Sequence, residues 1–253
     1  MCFLSLDESM GSCQPTAMDQ NSHQPAYIPF VFPGLEPIQC MFTTRFGAHQ
    51  SESTDRRKQI RDMLSAPSWL DMEQVHGTDL AFITEADSQY ANRRPQADAL
   101  ATSLSGQALV VSVADCQPLL VTHLTGRFIA ALHVGWRANR AQAPGLWIRR
   151  ICAEYSVTPQ ELLAVRGPSL GPGQSEFVNF ESEWGADFAD YFSSATQTVD
   201  LWRMTRDQLQ QAGLRPECIF SLDLCTYSLP GLFCSYRRDK TLSRQAGVIW
   251  ISD

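Results

Sequence analysis

The sequence predicts an α+β fold: a single domain of mixed β-sheets flanked by helices. Three observations carry the prediction. Strand-like and helix-like segments follow one another without strict alternation, which favours α+β. Apolar runs such as "ALVVSVADC" have the continuous character of strands buried on both faces. The chain has 253 residues, 44% hydrophobic and 19% charged, enough for one sizeable core, and it shows neither an internal repeat nor a linker.

The elements follow in order. Residues 1–26 are polar and aperiodic and read as a disordered or non-native extension, with Met18 as an alternative initiator; the domain is expected over 27–253. "IQCMFTTRFG" reads as a strand ending at a glycine turn, and "SESTDRRKQIRDML" as a polar helix capped by Ser51 or Ser53. "SWLDMEQVHG" reads as a strand reaching Gly77, with "DLAFITEA" as its continuation, and "SQYANRRPQ" as a loop. "ADALATS" and "ALVVSVADC" are strand-like. "VADCQPLLVTHLTGRFIAALHVGW", from Val113 to Trp136, reads as two strands joined at Thr125-Gly126. "PGLWIRRICAEY" is a helix: Pro144 suits its first turn, and Ile148, Ile151, Cys152 and Tyr155 form its apolar stripe. "LLAVRGPSLGPG" is a strand entering a Gly/Pro-rich loop, and "LWRMTRDQLQQAG" is a helix closed by Gly213. "CIFSLDLCT" reads as a strand, and "LFCSYRRDK" with "GVIWISD" as a closing pair of strands.

Composition narrows the function. A net charge of −7 argues against a nucleic-acid surface. No apolar run approaches the ~18 residues of a membrane span. The first residues lack the basic and apolar regions of a signal peptide, so a cytoplasmic location is expected. The eight cysteines are irregularly spaced and include no C-x-x-C, so each is a buried apolar group or a reactive or ligating thiolate rather than part of a disulfide framework.

The hairpin carries a sharper signal. With Leu124 opposite Arg127, Cys116 faces Gly135 and His133 faces Pro118. Cys116 and His133 are then diagonal neighbours on one face, roughly 7–8 Å apart at the backbone. Asp115 and His123 fall on the other face or elsewhere, and His123 beside the turn reads as a solvated loop residue. His76, in "QVHG" where a strand meets a glycine turn, is the third candidate. One thiolate and two neutral imidazoles make a three-ligand site with an open fourth position, the pattern of a catalytic zinc. Copper is the alternative metal. Cys116 and His133 equally suit a nucleophile and its base.

The motifs "TTRFG" (43–47), "QVHG" (74–77), "ADALAT" (97–102), "ADCQPLL" (114–120), "ALHVGWR" (131–137) and "CSYRRDKTLSR" (234–244) occur in this order. Together they resemble the YfiH/PgeF family, long labelled a multicopper polyphenol oxidase or laccase-like domain, from about residue 27 to the end. The resemblance implies an α+β, cysteine-hydrolase-like fold and zinc held by His76, Cys116 and His133. It implies purine nucleoside chemistry: phosphorolysis of adenosine, inosine and methylthioadenosine, and deamination of adenosine. Bacterial members are also associated with peptidoglycan editing, removal of a wrong amino acid from a UDP-MurNAc precursor. A copper-dependent laccase-like oxidase is the older reading, yet the H-x-H and H-C-H ligand motifs of such oxidases are absent. Ala48, Ala138 and Ser243 stand where the family pattern has glycine, which bears on pocket shape rather than on the ligands.

The expected partners are a purine nucleoside and inorganic phosphate, with no nucleic acid, no membrane and a monomeric state. Phosphorolysis needs a phosphate clamp, and the planar guanidinium of arginine suits it. Arg45, in the "TTR" motif, ranks first, with Arg237, Arg238 and Arg244 behind it. Arg237, Arg238 and Lys240 equally suit an exposed strand face. Arg137 either orients substrate or snorkels from a helix N-terminus. Tyr236 and Phe46 can stack on a base. Asp115 is the candidate for proton handling beside the metal, or else a structural carboxylate bonding nearby amides.

Overall fold

The computed structural model describes residues 24–46, 68–84, 94–240 and 242–252. The N-terminal extension as far as residue 23, the polar helix expected at 51–64 and most of the 88–96 loop lie outside the described residues.

Two sheets stack face to face. The first contains β1 (Tyr27–Val31), β2 (Ile38–Thr43), β3 (Ser68–Leu70), β6 (Gln107–Val113) and β13 (Gln245–Ile251), in the order β1-β2-β13-β6-β3. The second contains β4 (Leu80–Ile83), β5 (Ala99–Thr102), β7 (Gln117–His123), β8 (Ile129–Val134), β9 (Leu162–Arg166) and β12 (Ile219–Ser221), in the order β12-β9-β7-β8-β5-β4. A short ribbon, β10 (Phe192–Ser193) with β11 (Thr198–Val199), stands apart. Five α-helices, with four short 3-10 turns, complete the described fold: α1 (Trp136–Arg140), α2 (Ala143–Tyr155), α3 (Phe180–Glu183), α4 (Leu201–Gln211) and α5 (Tyr236–Asp239). Among the described residues no helix is long and apolar enough to cross a membrane.

The main core lies between the sheets, where Phe42, Leu109, Val111 and Ile249 meet Leu120, Ile129, Ala131 and Val165. The other face of the six-stranded sheet, with Leu119, Val121, Leu132 and Ala164, is covered by Trp147, Ile148 and Ile151 of α2 and Leu209 of α4. Both faces of β7 and β8 are therefore covered, and every residue of the two strands is buried. Pro144 occupies the first turn of α2, and the Asp200 side chain accepts the Arg203 amide to start α4.

The hairpin register is as expected: Pro118 faces His133 and Thr122 faces Ile129. The turn itself starts one residue early, closed by the Gly126 amide on the His123 carbonyl at 2.8 Å. Val113 belongs to β6, in the other sheet, so residues 114–116 form a crossover between sheets. Residues 68–83 are not one strand. β3 and β4 join different sheets, and the 75–77 turn separates them. Residues 236–239 form a helix rather than a closing strand, because Ser235 caps it by accepting the Arg238 amide and the segment lacks period-two alternation. The strand expected over "CIFSLDLCT" is limited to Ile219–Ser221.

Candidate metal centre

One buried carboxylate organises the site. Asp98, fully buried at the mouth of β5, accepts hydrogen bonds from the amides of Val75 (3.2 Å), His76 (2.9 Å) and Gly77 (2.6 Å). Converging amides suit an anion, and this nest shapes the turn that presents His76. His76 has φ of 61°, a left-handed conformation that histidine tolerates better than bulkier residues. The same carboxylate accepts the Nδ1–H of His133 at 2.7 Å, leaving His133 Nε2 to face the site. Burial alone would raise the Asp98 carboxyl, but His133 and the turn amides hold it below the ordinary range.

Cys116 is placed by the crossover. Asp115 has φ of 89°, and its backbone carbonyl accepts the Leu170 amide at 2.9 Å. Its carboxylate is engaged on both oxygens, by Thr226 Oγ1 at 2.7 Å and by the Arg237 amide at 2.7 Å. Across the hairpin stands Gly135. A Cβ there would lie 3.2 Å from both Cys116 Sγ and His76 Cδ2, so any side chain at this position would press on the cluster.

The result is a compact triangle. The donor atoms of His76, Cys116 and His133 all lie within 4.8 Å of one another. Cys116 Sγ is 3.9 Å from His76 Nε2, and the imidazoles meet edge to face at 4.8 Å between centroids. Tetrahedral ligands of one zinc ion stand about 3.4–3.6 Å apart, as its bond lengths require. The triangle therefore fits a single metal ion with little movement. Burial would push the Cys116 thiol up, but His133 and His76 outweigh it and bring it down to about 6. Burial would lower His133; the Cys116 thiolate and Asp98 raise it to about 9. The protein thus holds a ready thiolate where a metal ligand or a nucleophile requires one.

The family described as multi-copper polyphenol oxidoreductase laccase matches residues 42–252. A protein named purine nucleoside phosphorylase YfiH from Escherichia coli K12 is 33% identical over 220 residues, covering 81% of this chain and 85% of its own. The chain belongs to the YfiH family. A purine nucleoside phosphorylase from Xylella fastidiosa Temecula1 is 34% identical over 207 residues, 78% of this chain and 76% of its own. The crystal structure of YlmD from Geobacillus stearothermophilus shares the YfiH-family fold, with a TM-score of 0.79 at 22% identity over 92% of this chain and 98% of that one.

The basic residues of this YfiH-family chain are placed unequally. Arg45 is exposed; its guanidinium donates to the Pro230 carbonyl, and Phe46 follows it half-buried. Arg237 donates from its side chain to the Glu176 carbonyl at 3.0 Å, while its amide holds Asp115 beside Cys116. Arg238 is committed elsewhere: it donates to the carbonyls of Thr226, Tyr227 and Phe233 and to Asp239, and so braces α5. Arg244 and Lys240 lie 5.9 and 5.2 Å from the ring of Tyr236, which is half-exposed. Arg137 is exposed and stacks 4.4 Å over Trp136.

Two residues differ from expectation. His123 is buried rather than solvated, since the early turn folds its ring against Phe128 at 5.7 Å and onto Thr125. Asp98 was not singled out from sequence. Its signal is the acid inside "ADALAT", an ionisable group at the head of an apolar strand, which needs a partner to be buried there.

Proposed function

We propose that this protein is a zinc-dependent purine nucleoside phosphorylase acting on adenosine, inosine and methylthioadenosine, with hydrolytic deamination of adenosine as a second activity. The carrying observation is the His76–Cys116–His133 triangle, organised by Asp98, in a chain whose relatives bear the phosphorylase name. One thiolate and two imidazoles form a borderline-soft set suited to zinc. A multi-copper oxidase needs several clustered copper sites, and among the described residues one such donor cluster forms. Bound there, zinc would supply Lewis-acid polarisation of an oxygen. His76, Cys116 and His133 hold it, and Asp98 fixes the His133 tautomer. In phosphorolysis a phosphate oxygen bonds to the ribose C1′ as the C1′–N9 bond breaks. The purine nitrogen takes the electron pair and a proton, leaving free base and ribose 1-phosphate. Arg45, Arg237 and Arg244 are the phosphate-binding candidates, Arg137 and Tyr236 are the candidates for holding the nucleoside, and Arg238 braces α5, which carries Tyr236 and Arg237. Asp115 ties Arg237 to Cys116. The setting is cytoplasmic, in keeping with the irregular spacing of the eight cysteines.

Adenosine incubated with and without phosphate tests this. Adenine formed only with phosphate, and lost in Cys116→Ala, is the expected result; inosine formed without phosphate is the deaminase signature. Intact adenosine at high enzyme concentration, with zinc bound, overturns the reading. A second reading, a hydrolase of a cell-wall precursor amide with Cys116 as nucleophile, is favoured by the depressed thiol beside His133 and Asp98. It predicts phosphate-independent release of an amino acid.

A further inference from the structure

The six-stranded sheet carries different chemistry on its other face. Along β9, Leu163 and Val165 pack between the sheets, while Leu162 and Ala164 pack toward α2 and α4. Alternation sends Arg166 to the helix side, where its guanidinium lies 4.1 Å from the centre of the Trp202 ring. His133 is in phase with Ile129 and Ala131, which face the other way, between the sheets. Arg166 and His133 thus point to opposite faces.

A cavity of about 270 Å³ opens at Arg166. Trp202, Arg206 and Leu209 of α4 line it on one side, and Ile219 of β12 with Asp223 on the other. Arg166 is only 5% exposed, and a buried guanidinium must be bonded. It donates to Ser169 Oγ at 3.2 Å and to Asp223. Asp223 is 67% exposed, so this counter-ion sits at the lip, in water, and is exchangeable. Arg206 is exposed on the same cavity, and its side chain makes no hydrogen bond or ion pair with a described residue. Two other charges on the cavity are already used. Asp200 caps α4, and Arg203 pairs with Asp207 at 3.6 Å. What remains is two guanidinium groups against one exposed carboxylate. Burial lowers the Arg166 pKa, Asp223 raises it and Arg206 lowers it again, leaving it at about 10.

We propose that this cavity is a second binding site, for a phosphate monoester carrying a flat apolar group. Its phosphoryl oxygens bridge Arg206 and Arg166 in place of Asp223, and its apolar body lies against Ile219 and Leu209. Guanidinium forks match phosphate oxygens, and stacking on Trp202 fixes one fork in advance. The dianion relieves the repulsion between the two arginines. The cavity has room for a phosphoryl group and one ring, and a larger body would extend through its open side.

The probe is phenylphosphonate, which carries the dianion and a ring but has no ester to hydrolyse. It is titrated into the full-length, metal-loaded protein while the Trp202 indole N–H is followed by NMR, with Trp202→Phe assigning the signal. A saturable shift of that signal is expected. Arg206→Ala, a surface change, weakens the binding at least tenfold, and Cys116→Ala leaves it unchanged. The proposal is overturned if the indole signal does not move, if Arg206→Ala binds equally well, or if Cys116→Ala abolishes the shift and so assigns the probe to the metal centre. An equal shift with neutral benzyl alcohol would likewise overturn it.

Discussion

The two ends of the β7–β8 hairpin each hold a buried histidine, His133 at the open end and His123 at the turn. His133 gives its Nδ1 proton to Asp98 at 2.7 Å and turns Nε2 toward Cys116 and His76. At His123 the Nδ1 lone pair is occupied by the Thr125 amide at 3.0 Å, and Nε2 stands 3.6 Å from Glu161, too far for a good hydrogen bond. Burial is common to both and decides nothing. The partner of the inner nitrogen and the direction left to the outer one make one histidine a candidate ligand and the other a turn brace. Each end also has a glycine, and their surroundings differ in the same way. Gly135 faces the cluster, whereas Gly126 faces Ile38.

Removing a donor should separate the two ends most sharply. Cys116→Ala and His133→Ala are expected to lose the metal and to lower phosphorolysis more than about a hundredfold, beyond the loss typical of an outer partner. His123→Ala is expected to keep both, with only a lower melting temperature. Elemental analysis of the purified variants checks this, and a His123→Ala protein without metal would break the contrast. Asp98→Asn comes next. It keeps the shape, but the amide cannot serve all of the donors the carboxylate now accepts. A loss of about 10–100-fold in metal affinity is expected, measured by competition with a chromogenic chelator.

Gly135→Ala sharpens the comparison without touching a donor. The new Cβ would stand 3.2 Å from Cys116 Sγ and His76 Cδ2, so the triangle must open. Weaker metal binding is expected with the ligands all present. Unchanged affinity would mean that the triangle is more compliant than its packing indicates.

Thiol titration provides a milder contrast. In chelator-treated protein Cys116 is a thiolate above about pH 6, because the histidines stabilise the anion against its burial. Cys152 on α2, raised to about 11 by burial and by Glu161, stays protonated. Alkylation followed by peptide mapping is expected to label Cys116 at neutral pH and to slow as pH falls through about 6, since only the thiolate reacts. Cys152 remains unlabelled over that range. A Cys116 profile centred near 9 would contradict the coupling to His133.

How much of this was legible in the sequence follows from the range of each signal. The hairpin register depends on period-two alternation and turn parity, both local, and the pairing of Pro118 with His133 was readable from them. The grouping of His76, Cys116 and His133 was readable because few histidines occur in the chain and one of the two on the hairpin shares a face with Cys116. Asp98 escaped because its bonds reach across 22 residues to His76 and 35 to His133, and no spacing rule spans that. The helix at Tyr236–Asp239 is too short for periodicity to register, and only its Ser235 cap marked it. Where Arg238 would donate depended on carbonyls of a loop whose path is tertiary.

Gly126→Ala should have the smallest effect, and it closes the comparison from the turn end. Gly126 has φ of 70°, and an added Cβ would meet Ile38 at 3.1 Å. The left-handed backbone costs an alanine about 1–2 kcal/mol, and Ile38 must also give way. For a domain of this size that lowers the melting temperature by about 2–8 °C. Metal affinity and phosphorolysis should not change, because the register from Thr122 to Gln117 is held by six consecutive cross-strand pairs between the turn and the cluster. A loss of metal in Gly126→Ala would show that strain at the turn reaches His133, and that the two ends of the hairpin act as one unit.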